Sequence, residues 1–199
     1  MKVEIFSDVV CPWCYIGHRR FARAVARFAG EVEVIYRPFE LNPGAPATGE
    51  PLLEALERKF GGDVAQMTGQ VAAVGAQEGL ELRFDHAISA GTFEAHRMIE
   101  LAARQGLAEE MTHRLFAAHF TDGLNIGDGE VLAKLAAEVG VTDTGEAAAD
   151  VREQLARARE LGITSVPFFL FEEQFGVSGA QSEDTFLAAL EEVAERTAR

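Results

Sequence analysis

The sequence predicts an α/β fold in which one sheet domain is interrupted by a long helical insertion. Three observations predict it. The chain opens on a strand–helix–strand pattern, it closes on strand–strand–helix, and the stretch from 51 to 162 between them reads helical. The expected boundaries are 1–45 and 163–199 for the sheet domain and 46–162 for an all-helical insertion.

Val3 to Phe6 is a short β-prone run. From Pro12 onward the period changes: Cys14, His18, Phe21, Val25 and Phe28 follow at steps of 4, 3, 4 and 3, one stripe of a helix. Pro12 suits the first helical position, and Gly30 is expected to end the helix as its C′ residue. Glu31 to Arg37 alternates polar and apolar residues and reads as a strand closed by Pro38. A right-handed crossover then makes the two strands parallel. Gly44 to Pro51 holds two glycines and two prolines and reads as a boundary loop.

The insertion reads as successive helices. Leu52 to Phe60 is stopped by Gly61 and Gly62, and Val64 to Gln77 contains Gly69 and Gly75. Thr92 opens a helix to Arg104, followed by Ala108 to Phe120. Asp128 caps the next, with Val131, Leu132, Leu135 and Val139 on its apolar face and Gly140 as its stop. Thr144 to Leu161 is the last, ended by Gly162. Ile163 to Phe171 is a strand with Pro167 near its start, and Phe175 to Gly179 a second. Ser182 caps a final helix with Phe186, Leu190 and Val193 inward.

Composition narrows the function classes. The 199 residues are 48% hydrophobic and 25% charged, ordinary for a globular chain. A net charge of −14 argues against nucleic acid and anionic membrane surfaces, both of which need a basic face. The longest apolar runs, such as Val166 to Phe171, are far too short to span a bilayer. The opening residues show no apolar signal stretch, so a cytoplasmic location is expected.

The chain has only two cysteines, Cys11 and Cys14, spaced C-x-x-C. So short a loop barely constrains the unfolded chain, so a structural disulfide has little use there. A zinc site wants four ligands; His18 lies near enough to be a third, but no fourth follows, so no metal site is expected. A redox dithiol at a strand–helix junction is the favoured reading. Cys11 falls at the helix N-cap, where free N–H groups and the positive dipole end favour a thiolate. Cys14 lies one turn in, on the buried stripe. Cys11 is therefore expected to attack and Cys14 to resolve the mixed disulfide. His18, one turn further, is a candidate proton partner or an ordinary buried histidine. Asp8, three residues before Cys11, either tunes thiol protonation or caps the loop. Trp13, between the cysteines, is a candidate substrate contact.

Cys11-Pro12-Trp13-Cys14 after a first strand, with Ser165-Val166-Pro167 far downstream, resembles the thioredoxin superfamily. The helical insertion narrows the resemblance to DsbA-like proteins. The segments Asp8 to Gly17, Phe39-Glu40-Leu41-Asn42-Pro43, Ala95-His96-Arg97 and Gly179-Ala180-Gln181 are similar to the FrnE-type branch, described as dithiol–disulfide isomerases. The resemblance implies a thioredoxin fold with a large helical insertion. It implies that Val166-Pro167 forms a cis-proline loop facing the dithiol, where Val166 meets an extended substrate. It places His96 at the cleft between subdomains, either lining it or bonding across it. Gly91 departs from the asparagine usual in that branch, and without further cysteines no second redox relay is expected.

The expected function is thiol–disulfide exchange on protein or small disulfides, recycled by a reductant or oxidant. No cofactor is needed beyond the Cys11–Cys14 couple, with glutathione a candidate reductant. Two alternatives stay open. One is a glutathione-dependent isomerase or transferase of the same fold, although such enzymes resemble this chain with serine at position 11. The other is a zinc-binding or chaperone protein without turnover.

Overall fold

A computed structural model describes residues 1–197. Strand β1 (Lys2–Ser7) leads into helix α1 (Pro12–Arg27) and strand β2 (Glu33–Pro38). Strand β3 (Glu50–Pro51), helices α2 (Leu52–Phe60) and α3 (Val64–Gln77) and strand β4 (Ile88–Ser89) follow. Helices α4 (Phe93–Arg104), α5 (Ala108–Phe120), α6 (Gly129–Val139) and α7 (Ala148–Glu160) complete the middle of the chain. Strands β5 (Phe168–Phe171) and β6 (Phe175–Ser178) and helix α8 (Glu183–Thr197) close it.

The main sheet has the order β2-β1-β5-β6, with β1 parallel to β2 and antiparallel to β5. Alternation along β1 divides the core. Val3 and Ile5 meet Phe21 and Ala24 of α1, Phe169 and Phe171 of β5, and Phe186 and Leu190 of α8. Aromatic rings carry that layer: Phe169 and Phe186 lie 4.5 Å apart between centroids, and Phe21 sits 5.1 Å from Phe169. Phe6 points to the other face, against Leu170, Ile163 and Ala158 of α7. A third cluster joins Cys14 and Ile16 of α1 to α4, α5 and α6 through Met98, Leu101, Leu115, Phe116 and Leu135.

Several expected boundaries shift, each for a local reason. The first helix does not run to Gly30. Phe28, at ψ 136°, takes the chain out of the helix while its N–H still bonds Ala24 and Val25, and its ring packs on the sheet core. The strand expected from Ile163 starts only at Phe168. Phe168 pairs with Phe6; Pro167, opposite Ser7, has no N–H to give, and any earlier start would run past the end of β1. The helix expected from Thr144 starts at Ala148, because the Asp143 carboxylate takes the Gly145 N–H at 2.9 Å and holds a turn there. The insertion is not all helical. Residues 45–51 are a strap rather than a free loop: Glu50 and Pro51 pair with Ser89 and Ile88. Asn125 Nδ2 donates to Ala47 O at 2.9 Å, and Gly91 N to Pro46 O at 3.2 Å. A Cβ on Gly91 would stand 2.5 Å from Ala45 O, so the strap's close approach explains glycine at that position.

Glu4 shares the Phe6 face and is fully buried. Arg37 Nε and Arg157 Nη1 each reach its Oε1 at 2.6 Å, and Arg157 Nη2 reaches Oε2 at 2.9 Å. Burial alone pushes the carboxyl up, but the Arg157 and Arg37 hydrogen bonds outweigh it and hold the pKa at about 2. Removing one member of a buried pair strands the other charges. Glu4→Gln is therefore expected to cost about 3 kcal/mol in urea unfolding, whereas Lys2→Met, which breaks the exposed Lys2–Glu173 pair, costs under about 1 kcal/mol. The Glu4 contribution is in place above pH 4.5 and is lost as pH falls toward about 2. Equal losses in the two variants would contradict this account.

Candidate active site

Cys11 is the N-cap of α1, and Pro12 opens the first turn. Cys11 N–H donates to Asp8 O at 3.0 Å, and Cys11 O accepts Cys14 N–H at 3.0 Å. Both cysteines are free thiols. Cys11 keeps 5% of its surface, Cys14 none, and Trp13 between them 41%. Helical geometry alone produces this contrast, because the third residue of the turn swings inward while the cap stays at the rim. Burial pushes the Cys14 thiol well up; the Cys11 thiol and the Asp8 carboxylate add to this, and the Asp8 backbone N–H opposes it.

Across from Cys11 lies the β5 approach. Cys11 Sγ sits 3.8 Å from Val166 O, and the Val166–Pro167 peptide is cis. Gly179 N–H donates to Pro167 O at 2.8 Å. Gly17 on α1 makes this close packing feasible: a Cβ there would stand 3.0 Å from Pro167 Cγ and 3.5 Å from Ala180 Cα.

Asp8 is buried behind the cysteines. Its Oδ2 accepts the Leu41 N–H at 2.8 Å. Its Oδ1 lies 3.4 Å from His96 Nε2 without a hydrogen bond, because that nitrogen is 3.0 Å from Phe39 O. A carbonyl only accepts, so Nε2 carries the proton. The geometry thus joins Asp8 and His96, from β1's end and α4, around the 39–41 segment. A 300 Å³ cavity is lined by Val10, the residue before Cys11, with Leu41, Leu52, Leu56, Arg58 and Ser89. A larger 670 Å³ groove, lined by Lys2, Arg37, Arg157 and Glu173, lies away from the cysteines.

His18 is placed on the buried stripe, yet neither ring nitrogen has a hydrogen-bond partner. Its ring stacks 5.4 Å from Tyr36 and meets Phe116 edge-on. Burial, aided by His113, lowers its pKa to about 3, so it is neutral across the ordinary pH range. His119 is a second buried imidazole with both nitrogens unpartnered, lowered by burial to about 4 against the pull of Asp8. Its burial was not legible from spacing. Nor was Arg20, whose guanidinium reaches Ala180 O; the only clue was a pair of arginines, Arg20 and Arg23, beside an apolar stripe. Arg97, beside His96, binds Asp143 at 2.7 Å and faces the α7 side, away from the thiols. Among the described residues no three metal-ligating side chains converge. Nor is any helix there long and apolar enough to cross a membrane.

A family profile for the DSBA-like thioredoxin domain matches residues 2–191. The chain belongs to that family. A crystal structure of a probable DsbA oxidoreductase from Streptomyces coelicolor is 36% identical, with a TM-score of 0.90 over 96% of this chain and 89% of that one. The Bacillus subtilis (strain 168) protein YwbO is 28% identical over 96% of both chains. The cytosolic disulfide reductase DsbM of Pseudomonas aeruginosa shares the fold at 19% identity and a TM-score of 0.67, covering 98% and 99% of the two chains. The DSBA-like assignment makes the chain a member of a thiol–disulfide oxidoreductase family with a thioredoxin fold.

The two buried histidines without hydrogen-bond partners, His18 and His119, give this DSBA-like chain an acid-side weakness. They bind protons less readily folded than unfolded, where a free imidazole titrates near 6.5. Stability therefore drops as pH falls below 6.5, until about 4 for His119 and about 3 for His18. Each contributes a slope of about 1.4 kcal/mol per pH unit in that window. Urea midpoints of His119→Leu are expected to fall less steeply than those of the parent between pH 6.5 and 4. Parallel curves would sink the assignment.

Proposed function

We propose that the protein is a thiol–disulfide oxidoreductase or isomerase that works through Cys11 and Cys14 on protein or small-molecule disulfides. The observation that carries this reading is the asymmetry of the pair: Cys11 at the rim beside Val166 O, Cys14 sealed beneath it. The Cys11 thiolate attacks one sulfur of the substrate disulfide. The other sulfur leaves as a thiolate and takes a proton from solvent. The product is a mixed disulfide at Cys11. Cys14 then loses its proton, attacks Cys11 Sγ, and releases the second substrate thiolate. The substrate gains two electrons and Cys11–Cys14 becomes a disulfide. A small thiol such as glutathione is the proposed recycling reductant. In isomerisation a substrate thiol, not Cys14, displaces Cys11.

Val166 and Pro167 form the edge along which the substrate backbone lies, and exposed Trp13 supplies an apolar contact beside the reacting sulfur. Asp8 and His96 hold the 39–41 segment behind it. A cytoplasmic setting suits the dithiol, because the glutathione poise there keeps such pairs reduced.

Trapping tests the roles. Cys14→Ser is expected to accumulate mixed disulfides at Cys11, seen on non-reducing gels and by intact mass. Cys11→Ser is expected to accumulate none, because the remaining sulfur is sealed from substrate. Both variants lose net disulfide reduction. Equal trapping by both would refute the division of roles, and trapping by neither would refute the exchange chemistry.

A further inference from the structure

A chain of hydrogen bonds runs from the Pro167 loop to the helical insertion, and the exchange chemistry above makes no use of it. Gly179 N–H holds Pro167 O at 2.8 Å. On the next residue, Ala180 O accepts Arg20 Nη1 at 2.8 Å. The same guanidinium donates through Nε to Glu78 Oε1 at 2.6 Å. Arg23 takes the remaining Glu78 groups, Nη1 to Oε2 at 2.7 Å and Nη2 to the backbone O at 3.0 Å. Glu78 is the C-cap of α3, so the last link of the chain belongs to the insertion.

The cluster is built, not incidental. The Glu78 side chain is 11% exposed and that of Arg20 20%. Desolvating a carboxylate and a guanidinium is expensive unless each finds its partners. Here both carboxylate oxygens are filled. The Arg20 fork is shared between an anion and one backbone carbonyl, a geometry lysine cannot copy. The acceptor is also specific. Ala180 lies in the turn after β6 that packs on Gly17 together with Pro167. Gly17 lies one turn from Cys14 and one turn from Arg20 on the same helix. Contact with Gly17 sets how deeply the loop sits, and Arg20 sets where it lies along α1.

We propose that Arg20, held by Glu78, is a positioning residue for extended disulfide substrates. It fixes the Pro167–Ala180 edge against which the peptide flanking the substrate disulfide lies. The inference rests on the thiol–disulfide exchange reading. It predicts a selectivity effect: disulfides with flanking polypeptide depend on Arg20, and disulfides without it do not.

The experiment compares insulin with bis(2-hydroxyethyl) disulfide as substrates for the full chain. In Arg20→Gln, kcat/KM for insulin is expected to fall about tenfold, mainly through KM, because a small displacement of a positioning edge is costly. The value for the small disulfide should stay within about twofold, and the Cys11–Cys14 reduction potential should not move. Arg20→Lys, which keeps the charge but not the fork, should recover part of the loss. Glu78→Gln should act like Arg20→Gln, and the double variant should be no worse than either single one. If Arg20→Gln does not fold, Glu78→Gln gives the same test by releasing the guanidinium with Arg20 still in place. Equal losses on both substrates, or none on either, overturn the proposal. A parent protein inactive on both overturns the exchange reading and this inference with it.

Discussion

Helix α1 is buried on two sides at once, and the rest of the molecule is arranged around that constraint. Phe21 and Ala24 pack into the sheet beside α8, while Cys14, Ile16 and His18 face the helices of the insertion. A helix with one apolar stripe is satisfied by a sheet alone. This one presents apolar groups over more of its circumference near its N-terminus, so a second layer must cover it. The insertion supplies that layer through α4 and α5, with Tyr15 stacked 4.7 Å from Phe116. The C-x-x-C motif thus lies where two cores meet. Within the motif Cys14 is sealed, while Cys11, Pro12 and Trp13 reach the rim.

The opposite face of the sheet is closed differently. β1 places Phe6 and Glu4 there in alternation, and α7 covers both, Ala158 against Phe6 and Arg157 against Glu4. Apolar residues at all three positions, 4, 37 and 157, would pack as well or better, because whole buried ion clusters seldom outweigh hydrophobic replacements, whereas changing position 4 alone strands two guanidinium groups. What the carboxylate adds is direction. It accepts from Arg37 on β2 and from Arg157 on α7, so one residue fixes the sheet edge and the last helix of the insertion in a single register. That register decides where the chain re-enters the sheet after Gly162, and so where Val166 and Pro167 arrive relative to Cys11.

Much of this was legible in the sequence, and what was legible was local. The stripe from Cys14 to Val25, the Asp128 cap and the Gly140 stop all depend on neighbours in the chain, and each lies where its pattern put it; the stripe's last member, Phe28, falls just outside the helix. Asp128 accepts from Glu130 and Val131 N–H, and Gly140 has φ +89°. The C-x-x-C spacing placed Cys11 at the cap by the same logic. What failed to show depended on distant partners. The strap at 45–51 looks like a loop because its bonds go to Ser89, Gly91 and Asn125. Strand β5 looks longer than it is because its length is set by where β1 ends. Asp8 and His96 were visible as motif residues, but their meeting across 88 positions is a product of the fold.

The polar groups around the cysteines follow one rule with unequal success. Asp8 is anchored through Oδ2 but leaves Oδ1 unpaired, and His18 and His119 leave both nitrogens unpaired. Buried polar atoms without partners are uncommon, because each carries a desolvation penalty of about 1–3 kcal/mol. Such penalties are absorbed when packing over-determines the residue, and here the aromatic contacts do so: Tyr36 and Phe116 clamp His18, and Phe120 lies 4.5 Å from His119. The consequence reaches Cys14. Cys14 is sealed from water in the cluster that also holds Ile16, Met98 and Phe116, with the Asp8 carboxylate as a charged neighbour. In that medium an ionised sulfur is costly, which favours Cys14 as a thiol. In the proposed exchange, burial would separate the two sulfurs in time as well as in space: the rim thiol meets the substrate first, and the sealed one acts only on the sulfur it touches.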